Sequence, residues 1–468
     1  MAKEIPTSRA RRGAQLGKLI AGQAVRGAGV TLSMVRDSEA EHIARTERAL
    51  ADAAEDIVTV LGSMKGLAMK AGQLLSMFDL LAAFGIENLP PRQRERFQRK
   101  LAALYDQSTQ VPFEQMRKVI EADYGRPIDA VFSEFDRQAI GAASIGQVYR
   151  ARLADGRAVA VKVQYPGIDV AIRADIKNLA LVMRMLRTVA PAVAGHALVR
   201  ELATHFADEA DYRTEAEHHR TVADMFRDHP FIRIPAIETE LCTARVLVTE
   251  LVEGLRFQEI AALPDAERDR VGEILLRFYV GSMIRERRFT GDPHPGNILL
   301  APDGKVAFLD FGLFKHMDQT AVDFELDCVR AAAEYRGAEL RELFVDYGVL
   351  EPNSPATADQ CLRLVHEVSG WLLTDADIRI AEDAAATSIL AFVDPRRGYF
   401  DNWRREYAPA EHAFARRVEY GTLALLGKLH AGGNWHRIAR EWFYNEPPRT
   451  ELGLREHEWL RTVAVEAD

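Results

Sequence analysis

A chain of 468 residues with 48% hydrophobic and 28% charged side chains has room for two or three domains and sits at the globular average. This excludes a stapled miniprotein, wholesale disorder and a polytopic membrane protein. The net charge of -9 offers no field to attract DNA or RNA, so no nucleic-acid partner is expected.

Residues 1–36 carry Lys3, Arg9, Arg11, Arg12, Lys18, Arg26 and Arg36 against the single acid Glu4. This basic, glycine-rich stretch is expected to be a mobile arm able to touch anionic lipid. Over 37–110, Ile57, Val60, Leu61, Met64, Leu67, Leu74 and Leu75 recur at helical spacing, which predicts an all-helical extension. Across 111–254 the texture changes. A helix is predicted over Phe113–Tyr124, followed by β-rich sequence from Phe132 to Val163 with a hairpin turn at Asp155-Gly156. A helical insertion over 168–194 and a charged helix over 198–220 come next. Strands over 231–237 and 245–252 are predicted to complete a small sheet. From 255 to 468 the pattern is helical, apart from the loop 291–297 and a strand near 306–309. No window reaches 18 uninterrupted apolar residues, and the best, 179–194, contains Arg184 and Arg187, so any membrane contact is expected to be peripheral. Cys242, Cys328 and Cys361 form no Cys-x-x-Cys pair, which fits core residues in a reducing compartment; the expected location is cytoplasmic, with contact at most on the inner face of a membrane.

Three segments carry chemistry when taken together. Val159-Ala160-Val161-Lys162 places a lysine at the end of an apolar strand, where its charge needs partners; phosphate oxygens and a helix carboxylate would serve. Glu209, Asp211 and Glu215 are the candidate carboxylates. Asp292 and Asn297 stand five residues apart in Gly291-Asp-Pro-His-Pro-Gly-Asn297, and Asp310-Phe311-Gly312 begins 18 residues past Asp292. Asn297 and Asp310 offer the hard oxygen ligands Mg²⁺ prefers, while Asp292 can orient or deprotonate an attacking hydroxyl. His294 reads as a structural loop residue. Gly141-Ala142-Ala143-Ser144-Ile145-Gly146-Gln147-Val148 matches a phosphate-covering glycine loop, except that Ala143 stands where the central glycine would be. Thr249 to Gly254 would be the hinge whose backbone, at Glu250 and Val252, meets adenine. No Ala-Pro-Glu follows Asp310, so the peptide-docking platform of ordinary protein kinases is absent or minimal. The fold class is therefore α+β: a protein-kinase-like two-lobe fold, with a small β-rich N-lobe at 111–254, a helical C-lobe at 255–468 and an all-helical N-terminal extension.

Lys70-Ala-Gly72-Gln73, Ala142-Ala143-Ser144, Val-Ala-Val-Lys162, Glu209-Ala-Asp211 with Glu215, and Asp292-Pro-His-Pro-Gly-Asn297 together resemble the AarF/UbiB family of atypical protein-kinase-like proteins, linked to ubiquinone and other isoprenoid-lipid metabolism. The resemblance implies that ATP or ADP binds with Mg²⁺ on Asn297 and Asp310. It implies further that Lys162 pairs with Glu209, that Asp292 is the catalytic carboxylate, and that the helix bearing Lys70 and Gln73 covers the site with Asp211 and Glu215 nearby in a regulatory role. Thr290, where many members have His, and Gly141, where they have alanine, depart from the pattern. The expected function is a Mg²⁺-dependent atypical kinase or ATPase supporting isoprenoid-quinone or related lipid metabolism, with lipid- or quinone-biosynthesis proteins as partners. The alternatives are a small-molecule phosphotransferase of the aminoglycoside or choline kinase type and a non-catalytic nucleotide-sensing scaffold.

Overall fold

A computed structural model describes residues 111–143, 145–170, 172, 211–385, 387–388 and 410–467. The chain divides into two units, one of 1–110 with 167–194 and the other of 111–166 with 195–468; everything below concerns the second. Lys70, Gln73, Ser144, Glu209 and the basic arm lie outside the described residues.

Helix α1 (Phe113–Tyr124) follows Pro112 and stops at Gly125, whose φ of 65° is the left-handed conformation that closes a helix end. It covers one face of an antiparallel sheet ordered β1-β2-β3-β5, made of β1 (Glu134–Ala143), β2 (Gly146–Arg152), β3 (Ala158–Gln164) and β5 (Val246–Glu250). Met116, Val119 and Ile120 of the helix pack on Tyr149, Val159, Val161, Val163, Val246 and Val248. The predicted Asp155-Gly156 hairpin joins β2 to β3, with Arg152 opposite Ala158. Side chains alternate across a strand, so burying Val159, Val161 and Val163 turns Lys162 to the opposite face.

Two expectations change here. The charged helix begins at Tyr212, as α2 (Tyr212–Met225), because Asp211 is extended and its side chain accepts from the Arg213 N–H as an N-cap. A helix running through from 198 to 220 is therefore not formed at Asp211. The strand near 231–237 shrinks to β4 (Ile232–Arg233), which pairs in parallel with β9 (Val306–Phe308) in a separate sheet ordered β4-β9-β8-β6. In backbone pairing, the stretch meets the first sheet through an isolated bridge from Ile237 to Thr249. The second sheet also holds β6 (Leu255–Arg256) and β8 (Ile298–Leu300).

The remainder is mainly helical, as expected. α3 (Phe257–Ile260) and α4 (Asp265–Leu276) lead into a π-helical turn at Arg277–Gly281 and then α5 (Ser282–Arg285). After β7 (Arg288–Thr290) and β10 (Phe314–His316), which pair antiparallel, come α6 (Gln319–Ala333), α7 (Gly337–Asp346) and α8 (Ala358–Leu373). β11 (Ile378–Arg379) pairs with β12 (Gly432–Gly433), and α9 (Ala410–Leu429), α10 (Trp435–Phe443) and α11 (Glu451–Ala467) complete the described chain. Phe278 of the π-helical turn stacks on Phe308 at 3.6 Å between ring centroids, at the centre of the large helical core.

Candidate active site

Two short antiparallel strand pairs assemble the loops. β8 starts immediately after Asn297 and β9 ends two residues before Asp310, with Ile298 opposite Phe308. The Leu309 N–H then donates to the Asn297 carbonyl at 3.0 Å. The reversal at Gly304, with φ of 81°, closes this hairpin and so delivers both expected metal ligands to one end of it. β7 and β10 do the same for the other loop: Thr290 lies opposite Phe314, and the Gly291 N–H donates to the Leu313 carbonyl at 2.8 Å. Asp292 and the Asp310-Phe311-Gly312 turn are thereby neighbours despite the sequence between them.

Lys162 comes to this place from β3. Its Nζ lies 2.7 Å from Glu215 Oε1 and 3.1 Å from Asp310 Oδ2, with side-chain exposures of 14%, 5% and 27% for the three residues. It also sits 5.0 Å above the Tyr212 ring, a cation–π contact. Burial alone would lower the lysine pKa, but the Asp310 and Glu215 carboxylates outweigh it and hold Lys162 charged well above its usual range. Among the described residues the helix carboxylate beside Lys162 is Glu215, in the first turn of α2; Glu209, which the resemblance pairs with Lys162, lies outside the described residues. Asp211 serves as the N-cap that starts this helix. Asp310 Oδ1 accepts from the Gly312 N–H at 3.0 Å, which fixes the carboxylate's orientation.

His219 lies one turn past Glu215 on the same face of α2 and is fully buried. Its Nε2 donates to the Pro235 carbonyl at 2.7 Å, and its ring meets Phe311 edge-on at 4.7 Å. Burial pushes its pKa down to about 4. The adjacent His218 ring nitrogen lies 3.2 Å from the Phe311 carbonyl. Both histidines thus brace the Asp310-Phe311-Gly312 turn, and neither follows from the motifs. Tyr212, Glu215, Ala216, His219 and Val222 are all buried; counting helical turns from the Asp211 cap would have shown this face.

In the 291–297 loop, Asp292 Oδ1 accepts from Arg417 Nη2 at 2.8 Å. His294 Nδ1 accepts from the Gly296 N–H at 3.1 Å, the structural role expected of it. The alanine-bearing loop is folded into the sheet: Ala143 lies opposite Gly146 and Ala142 opposite Gln147. Ile145 is buried, and its carbonyl accepts from the Tyr165 N–H at 2.9 Å. Gly146 cannot be larger, because a Cβ there would run into the Val163 carbonyl and lie 3.0 Å from Tyr212 Oη.

In the hinge, the Glu250 side chain turns to Arg233 and to the Ala236 N–H at 3.2 Å, so Glu250 offers a ligand only its backbone. Val252 is buried against Ala301 and Ala307 of the β8–β9 hairpin, which seats the segment expected to be the hinge directly on the hairpin bearing the expected metal ligands. Among the described residues no helix is long and apolar enough to cross a membrane.

Residues 103–343, just over half of the chain, match the ABC1 atypical kinase-like domain. The rat protein named atypical kinase COQ8B, mitochondrial, is 31% identical over 71% of this chain and 61% of its own length. An Arabidopsis thaliana chloroplastic protein, ACTIVITY OF BC1 COMPLEX KINASE 1, is 32% identical over 66% of this chain and 44% of its own. A mouse AarF domain-containing protein kinase 1 is 31% identical over 61% of this chain and 53% of its own. The chain thus spans less than two thirds of the length of these curated relatives. Among solved structures, the complex of Rv3197 with erythromycin from Mycobacterium tuberculosis is similar at a TM-score of 0.61 and 27% identity, covering 88% of this chain and all of that one. With the kinase-like architecture and the Lys162–Glu215–Asp310 constellation in place, this chain belongs to the ABC1/AarF family of atypical kinase-like proteins.

Proposed function

We propose that this chain binds ATP with Mg²⁺ and transfers the γ-phosphoryl group slowly, to water or to an acceptor, in support of isoprenoid-quinone or related lipid metabolism. The observation that carries the reading is Lys162 held between Glu215 and Asp310. A lysine kept charged and fixed by a helix carboxylate is the group that meets nucleotide phosphates in kinases. The donor set fits Mg²⁺. Asp310 and Asn297 present hard oxygens from one hairpin, and among the described residues no cluster of three or more His, Cys, Asp or Glu side chains could hold a metal by itself. That combination suits an ion that takes its remaining ligands from phosphates and water. When bound, the ion neutralises charge spreading over the transferred group. Asp292 orients the attacking oxygen and accepts its proton, while the Glu250 and Val252 backbone receives the base.

The test is Mg²⁺-dependent phosphate release by wild type, Asp292→Asn and Asp310→Asn, together with lipid and quinone profiles of a deletion strain complemented by each. Release equal in all three, or full complementation by both variants, refutes the reading. A second reading, a small-molecule phosphotransferase, draws support from the erythromycin held by the Rv3197 structure. Transfer of labelled γ-phosphate to a macrolide or aminoglycoside would favour it.

A further inference from the structure

Arg417 is an arginine with almost no water. It stands on α9, 125 residues beyond the catalytic loop it touches, and its side chain is 5% exposed. Among the described residues its one ion-pair partner is Asp292, whose own side chain is 17% exposed, and its Nε is buried without a hydrogen bond. The neighbouring Arg416 is engaged elsewhere, with Glu325 and Glu419. One turn beyond Arg417, Gly421 approaches so closely that a Cβ would lie 3.0 Å from Pro293. Positions i and i+4 share a helix face, so α9 meets the loop at two successive residues: the guanidinium on Asp292 and a bare backbone on Pro293.

Burying a guanidinium is unfavourable, and apolar packing of the same volume commonly stabilises a fold as well or better. A helix needing only to pack here would do better with methionine or leucine. The charge is kept at the one carboxylate that the proposed reaction uses as its acceptor of a proton. We propose that Arg417 is the positioning residue for Asp292: it occupies Oδ1 and fixes the carboxylate plane, so that Oδ2 faces the attacking oxygen. This rests on the ATPase or kinase reading above. In the step it serves, a water or hydroxyl oxygen forms a bond to the γ-phosphorus and its proton passes to Asp292 Oδ2. The bond from phosphorus to the bridging oxygen breaks, and ADP leaves with the electron pair. Arg417 touches neither nucleotide nor acceptor, and acts through the geometry of Asp292.

Steady-state phosphate release by the full chain tests it, with nucleotide binding followed by calorimetry. Arg417→Met lowers kcat about 100-fold, the cost of a misplaced catalytic group, while KM and the Kd for Mg-ATP stay at the wild-type values. Arg417→Lys, which keeps the charge but not the planar fork, recovers part of kcat. The double variant Asp292→Asn with Arg417→Met is no slower than Asp292→Asn alone, since residues acting as one unit are not additive. Wild-type kcat in Arg417→Met, or equal losses in kcat and in nucleotide affinity, overturns the proposal and leaves the ATPase reading standing. If Arg417→Met does not fold, Arg417→Lys decides: reduced kcat at unchanged KM supports positioning, and wild-type kcat overturns it. Wild-type protein releasing no more phosphate than Asp292→Asn removes the ATPase reading and this role with it.

Discussion

Acid should weaken the fold through His219, and the size of the effect follows from its surroundings. The Pro235 carbonyl can only accept, so Nε2 carries the hydrogen. Nδ1 is buried with no hydrogen-bond partner. A second proton would have to go to Nδ1, with nothing to receive it; burial outweighs the Pro235 bond and the Asp310 carboxylate, which favour the cation, and the charge of Lys162 adds a little to the effect of burial. Burial accordingly pushes the folded-state pKa down to about 4, against about 6.5 in an unfolded chain. The unfolded state therefore binds more protons between these values, and stability is lost as pH falls from about 6.5 to about 4, then levels off. At about 1.4 kcal/mol per unit the full effect is about 3 kcal/mol, of which about 2.5 is reached by pH 4.5. His219→Gln keeps a donor for Pro235 and cannot titrate. Denaturant unfolding of both proteins at pH 7 and pH 4.5 should show the wild type losing about 2.5 kcal/mol more than the variant. Carboxylates that also lose stability in acid, such as Glu456, cancel in that difference. Equal losses in the two proteins would refute the account of His219.

Glu215→Gln leaves Lys162 with Asp310 alone and should lower kcat/KM for Mg-ATP about 10- to 100-fold, the worth of a hydrogen bond to a charged group; wild-type kcat/KM would show that the 2.7 Å contact is incidental. Gly146→Ala sets a methyl against the Val163 carbonyl, a backbone atom that cannot swing aside, and should cost about 2 kcal/mol in a thermal melt; an unchanged midpoint would contradict the close approach. Glu456→Gln removes a carboxylate shared by Arg277 and Arg285. With Glu273 and Glu441 still on the buried Arg277, the loss should fall near about 3 kcal/mol, the low end for a broken buried pair, and a change below about 1 kcal/mol in denaturant unfolding would show the cluster to be redundant.

What could be read from the sequence is what lies close along it. Asn297 and Asp310 are separated by one hairpin, Asp292 by one more turn, and Lys162 follows a run of apolar residues in β3, so local rules sufficed to place all four. The Phe113–Tyr124 helix and the Asp155-Gly156 hairpin were legible for the same reason. The contact of Glu215 with Lys162 was harder to read, because composition over 198–220 looks uniformly helical, whereas the Arg213 N–H donating to the Asp211 side chain marks a helix start at Tyr212. Resetting the helical phase at Tyr212 places Glu215 and His219 inward together. The stretch after Phe231 reads as one strand, but partners far along the chain divide it: Ile232 pairs with Val306, and Ile237 meets Thr249. Arg417 gave no signal at all. It is one of two adjacent arginines on a helix of ordinary composition, and only the approach of Gly421 to Pro293 reveals what that face is for.

The geometry around Lys162 is set from the far end of the chain as well as from its neighbours. α2 carries Glu215 at its start and is capped by Phe226 at its end. Trp459 of α11 lies parallel to Phe226, packs edge-on to His229 at 4.4 Å, and donates from Nε1 to the Arg227 carbonyl at 3.0 Å. α11 is itself held by Glu456, which reaches Arg277 at 2.8 Å and Arg285 at 2.9 Å. Arg277 in turn belongs to the π-helical turn whose Phe278 stacks on Phe308 at the base of the Asn297–Asp310 hairpin. A continuous path of packed rings and buried charges therefore joins the two ends of α2 to the hairpin bearing the proposed metal ligands. Displacing α2 would separate Glu215 from Lys162 and disturb the Trp459 contacts at once. A rigid helix fixed at both ends is what a lysine bridging two carboxylates requires, since neither 2.7 Å nor 3.1 Å contact survives a movement of one helical turn.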